Sequence, residues 1–170
     1  MKPHDIIIAG RRISFDASHA LNQSYETFGG VTLHRMLDGA GVQQVHWRKV
    51  RTVISGSGPK PPGLDGINFD SAITIECAAP LNLSGASNIF TLPAARRADW
   101  APLGFALVDG TLRAAACSVV GNTATVTTTP GASAYEVSYW PILTVIATPP
   151  ALDFAARGTV AGWSLTAEEV

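Results

Sequence analysis

Apolar and polar positions in this chain alternate in short runs and rarely recur at helical spacing, which predicts strands joined by turns. Residues 6–9 and 12–15 flank Gly10-Arg11 as a short hairpin. Residues 16–28 are weakly patterned and fit a short helix or an extended arm, ended by the conformationally free pair Gly29-Gly30. Val31, Leu33, Arg35 and Leu37 then alternate with Thr32, His34 and Met36. Asp38-Gly39-Ala40-Gly41 leads into a longer run, 42–54. Asp-Gly between two such runs is a hairpin signal, and the Ala-Gly that follows lengthens the loop to four residues.

Residues 55–66 hold four Gly and three Pro, so regular hydrogen bonding is expected to stop there. Residues 73–77 read as a compact strand closed by Pro80, and 81–99 as irregular with Arg96-Arg97 exposed. Strands at 103–108 and 112–120 surround a second Asp-Gly, Asp109-Gly110. Gly121-Asn122 and Pro130-Gly131 then lead to runs at 123–129 and 134–147, with Pro141 placed at an edge or bulge. The expected fold is mainly β: an antiparallel β-sandwich or small barrel with extended terminal segments and little helix. Residues 1–148 form the β-rich domain, with a soft internal boundary near 81–100, and 149–170 form a tail that docks on a neighbour or on its own domain through Trp163.

Composition adds one pressure to this picture. With 46% apolar and 15% charged residues, the chain falls below the about 25% charge of an ordinary soluble domain, and some of its apolar surface is expected to be covered by other subunits. A net charge of -1 gives no electrostatic reason for binding nucleic acid or an anionic membrane. No apolar run is long enough to span a bilayer, so no membrane insertion is expected, and MKPHDIIIAGRR reads as neither signal peptide nor anchor. Cys77 and Cys117 sit among small apolar residues and read as free core thiols of a protein folded in a reducing cytoplasm.

Candidate chemistry is sparse. Gly56-Ser57-Gly58-Pro59-Lys60 offers glycines and a lysine, but Pro61-Pro62 forbids the helix a phosphate loop needs, and Ser57 lacks the spacing of a serine nucleophile elbow. Asp65 and Glu76 have the separation of the end ligands of a calcium loop, yet Ile67 and Phe69 fill ligand positions and Asp70 replaces the turn glycine. His4, His19, His34 and His46 are never at a metal-ligand interval. Asn82-Leu83-Ser84 is a formal glycosylation sequon without a secretory context. Neither cofactor nor metal is expected. Trp47, Trp100, Trp140 and Trp163, with Tyr135 and Tyr139, are core or interface anchors, or alternatively a sugar platform. Arg48, Lys49 and Arg51 are the densest basic cluster, with Arg48 facing away from the other two on a strand.

The stretch from Gly29 to Phe69 resembles small structural proteins of tailed-bacteriophage tails and baseplates. The likeness is carried by Arg35, Asp38 and Gly39, then Trp47 and Lys49, then Thr52, Ile54, Ser55, Gly56 and Gly58, then Pro61, Gly63, Leu64 and Asp65. It implies a non-enzymatic building block of the virion tail, folded in the host cytoplasm and assembled as a ring at the tail tip or baseplate around the end of the tail tube. Its partners would be copies of itself and other tail or baseplate proteins. The assembly interface expected on this reading comprises Trp47, Arg48, Lys49, Arg51, Pro61, Pro62, Leu64 and Trp163. Two other readings compete: a carbohydrate-binding or adhesion module recognising a host-surface glycan through its aromatics, and a cell-wall hydrolase built on a cleft uniting a His with a Cys or a pair of carboxylates.

Overall fold

The computed structural model describes residues 5–154 and 161–170, so His4 lies outside the described residues. The chain is 60% strand and 2% helix, sandwich-like, with several antiparallel sheets and no closed barrel. The strands are β1 (Ile7–Ile8), β2 (Arg11–Arg12), β3 (Asn22–Arg35), β4 (Gly41–Gly58), β5 (Ile73–Glu76), β6 (Leu81–Gly85), β7 (Ile89–Thr91) and β8 (Leu103–Val108). After them come β9 (Thr111–Ala115), β10 (Cys117–Val120), β11 (Thr123–Val126), β12 (Ala132–Tyr139), β13 (Ile142–Ala147), β14 (Ala151–Phe154) and β15 (Ala161–Glu169). A single 3-10 turn, Phe15–Ala17, precedes β3. The chain folds into two compact units, Met1–Ile7 with Ile75–Leu143 and Ile8–Thr74 with Thr144–Val170.

The first unit is a sandwich of a four-stranded sheet, β6-β12-β8-β9, and a three-stranded one, β10-β11-β7. Period-two alternation sends Val137 and Tyr139 of β12, and Ala124 and Val126 of β11, into one core with Leu92, Leu81, Leu83, Phe90 and Cys117. The sheets approach closely at Gly104, where a Cβ would lie 3.0 Å from Cys117 Cβ and 3.2 Å from Val126 Cγ1. The predicted Asp-Gly hairpin between β8 and β9 is present, with Asp109 and Gly110 at φ 50° and 75° as its mirror-image turn requires. The chain then changes sheet at Ala116, because β9 pairs with β8 and β10 pairs with β11. Pro141 ends β12 and bridges to Arg96.

Two expectations for residues 81–99 are corrected. This segment contains β6 and β7, with Leu81 and Leu83 facing inward and Asn82 and Ser84 outward. Arg97, expected at the surface, is 2% exposed. Its Nε and Nη2 donate to the two Asp99 oxygens at 3.0 and 2.8 Å, while Nη1 donates to the Asp5 and Cys77 carbonyls. Its guanidinium lies 5.0 Å from the ring centre of Trp100, which packs on Trp140. Burial works against the Arg97 charge, but Asp99, Glu76 and Asp5 outweigh it and hold its pKa above the ordinary arginine value. Both cysteines are thiols. Burial pushes the Cys117 thiol up, and Cys77 is fully buried. A raised thiol pKa leaves less thiolate at neutral pH, and its stability contribution, whole below the ordinary value of 9.0, is lost as pH rises through the folded value. Iodoacetamide at neutral pH is therefore expected to label Cys117 slowly and Cys77 only on unfolding, read by peptide mass spectrometry. Prompt native labelling of Cys77 would contradict this packing.

The second unit is built on the long strands of the sheet ordered β2-β1-β5-β13-β15-β4-β3, with β14 also paired to β15. β15 lies along β4 from Ala161↔Gly58 to Glu168↔Arg51, and its other side pairs with β14 and then β13. Those two are separated at Thr148-Pro149-Pro150, where the prolines supply no amide donor. The ladder on β4 continues to Gly58, four residues beyond the predicted end, because Gly56 and Gly58 make room for the turn at Phe15–Ala17. A Cβ on Gly58 would sit 1.7 Å from the Asp16 carbonyl oxygen, and one on Gly56 would sit 2.7 Å from the Trp163 indole nitrogen. That nitrogen donates to the Ala17 carbonyl at 2.7 Å. The Ser-Gly-Ser-Gly sequence is thus a bed for a crossing segment.

Candidate assembly surface

β3 and β4 continue past the end of β15 as a two-stranded ribbon turning at Asp38-Gly39. Asp38 Oδ1 accepts from the Ala40 amide at 2.9 Å, Arg35 Nη1 donates to the Gly39 carbonyl at 3.1 Å, and Gly39 has φ 84°, which together fix the tip. At the base the register shifts between Gly30 and Val31, so Gly30 pairs with Trp47 and Val31 with Val45, leaving His46 as the extra residue of a bulge. Gly29 is obligatory there, since a Cβ would lie 2.1 Å from the Trp47 carbonyl oxygen. Beyond the bulge, every residue from 31 to 48 is exposed.

This arm carries Val31, Leu33, Met36, Leu37, Val42 and Val45 into solvent, with Leu33 66% and Met36 58% exposed. A lone two-stranded ribbon is at best marginally stable in water, and contiguous exposed apolar side chains mark an interaction surface. Covering Val31, Leu33, Met36 and Leu37 stands to gain up to about 1.5–3 kcal/mol each. Together they match the about 4–15 kcal/mol of freedom lost on association. These residues escape sequence reading as site residues because alternation looks the same whether or not a second layer covers it.

The base of the arm is rigid. Trp47 meets Phe28 edge to face at 5.4 Å, and Arg51 lies 5.1 Å from the centre of the Phe28 ring. Arg51 donates to Glu168 Oε1 at 2.9 Å and pairs with Glu26 at 3.4 Å, and the hydrogen bond to Glu168 raises its pKa. Lys49 Nζ donates to the Val170 main-chain oxygen, and Glu169 Oε2 accepts from the Val50 amide at 3.0 Å. Glu169 thus occupies a β4 amide where β15 runs out.

The eight residues expected at an interface divide by burial. Trp47, Arg48 and Pro61 are exposed, Lys49 and Arg51 are half-buried at the base of the arm, and Pro62, Leu64 and Trp163 are buried. Trp163 holds the Phe15–Ala17 turn within its own unit. Arg11 Nη1 ties the loop after β4 by donating to the Gly63 and Asp65 carbonyls at 3.1 and 2.6 Å. Trp140, Trp163 and Tyr139 are buried, Trp100 packs on Trp140, and Tyr135 edges the sandwich core. Among the described residues no group of three or more His, Cys, Asp or Glu is placed to hold a metal ion. Among the described residues no helix is long and apolar enough to cross a membrane.

No protein-family model, curated protein or solved structure matches this chain.

Proposed function

We propose that this chain is a structural subunit of a tailed-bacteriophage virion, assembling as a ring or repeated subunit of the tail tip or baseplate around the end of the tail tube. The observation that carries the assembly part of this reading is the β3–β4 arm, exposed on both faces and rich in apolar side chains. The low charge fraction and the likeness of residues 29–69 to phage tail and baseplate proteins support the setting. The arm of one copy, covered by a neighbour, removes the apolar surface that the free subunit leaves in water. A glycan platform draws less support, because Trp47 is exposed whereas Trp140 and Trp163 are buried and Trp100 packs on Trp140.

Joining Gly30 to Trp47 through a two-residue Asn-Gly turn deletes the arm and leaves the β4–β15 ladder untouched. The arm-less chain is expected to keep its circular-dichroism spectrum and melting transition while losing self-association in light scattering and incorporation into particles. Association equal to that of the intact chain would contradict the arm's role.

A further inference from the structure

The outer face of the four-stranded sheet holds a groove of about 420 Å³ lined by Ser84, Leu107, Leu112, Ser133, Ala134 and Glu136. Since Tyr135 and Val137 point into the sandwich core, Ala134 and Glu136 point away from it. Leu107 stands opposite both Ala134 and Leu112, and Glu136 stands opposite Ser84 on one side and Phe105 on the other. The floor is therefore mainly apolar, with one carboxylate beside Ser84. Glu136 is half-buried and, among the described residues, has no ion-pair partner. A carboxylate set among leucine and phenylalanine side chains favours a cation that itself arrives with apolar neighbours.

The arm presents that combination. Val31, Leu33 and Arg35 lie on one face of β3, with Leu37 at the turn, and Arg35 has no ion pair among the described residues. The arm's acid, Asp38, is turned back onto the Ala40 amide. Resting on the assembly reading above, we infer that the groove around Glu136 seats the arm of a second copy, with Arg35 pairing to Glu136 and Leu33 and Leu37 resting on Leu107 and Leu112. Such a contact uses different surfaces on its two partners. Each copy that receives an arm still has its own to give, and repetition generates a ring when the rotation closes.

Charge reversal tests this on the full chain. Arg35→Glu and Glu136→Arg, each alone, are expected to weaken association in sedimentation velocity by about tenfold or more, and the double variant to recover most of the loss. In a Cys117→Ser background, a Leu37→Cys chain mixed with a Ser133→Cys chain should form an interchain disulfide that neither forms alone. Charge variants that associate like the parent chain, with no mixed disulfide, would overturn the groove assignment and leave the ring reading standing. A parent chain that shows no association at any concentration, and no mixed disulfide, would overturn both.

Discussion

Replacing Arg97 with methionine is expected to destabilise the sandwich unit by about 1.5–3 kcal/mol, the range for losing hydrogen bonds to a charged group. The side chain is fully buried and is the shared donor for Asp99, the Asp5 carbonyl and the Cys77 carbonyl. Its loss removes those hydrogen bonds and the cation beside Trp100. Asp99 is 43% exposed, so water replaces part of what Asp99→Asn removes, and that variant is expected to lose less. Urea unfolding followed by tryptophan fluorescence reads both, through Trp100 and Trp140 of the same unit. A loss below about 1 kcal/mol for Arg97→Met, the size of an ordinary surface change, would show that this network does not hold the unit.

Gly58→Val is expected to have a comparable effect on the other unit, about 3 kcal/mol or more, because the clash is with backbone and no rotamer relieves it. Its Cβ would fall 1.7 Å from the Asp16 carbonyl oxygen, which also accepts from the Lys60 amide. The Phe15–Ala17 turn would have to leave the strand, breaking the bond from the Trp163 indole to Ala17. Gly85→Ala is the control, since its nearest neighbour would be 3.7 Å away, and a change within about 0.5 kcal/mol is expected. Equal thermal shifts in the two variants would contradict the crossing described for Gly58.

Much of this fold is legible from local chemistry. The hairpin at Asp109-Gly110 and the long one turning at Asp38-Gly39 follow from turn residues between alternating runs. β6 looks irregular in sequence because Asn, Ser and Gly dilute its alternation, although Leu81 and Leu83 keep the period. Adjacent arginines suggest a solvent position for Arg97, whereas its burial depends on Asp5 and Cys77, distant in sequence. The glycines at 56 and 58 resemble a break in structure, because the segment that crosses them, Asp16-Ala17, is about forty residues away along the chain. Of the residues expected at an interface, Trp47, Arg48 and Pro61 are exposed, whereas Pro62, Leu64 and Trp163 belong to the interior. Whether an apolar residue faces a core or a missing neighbour depends on sheet stacking, which alternation alone does not encode.

The central claim is that the arm is covered by another subunit. Cryo-electron microscopy of the particle containing this chain, with copies counted about the symmetry axis, tests it most directly. The account predicts several copies in a ring, with residues 31–47 of each packed against a neighbour. Isolated copies with both faces of that ribbon in solvent would contradict it.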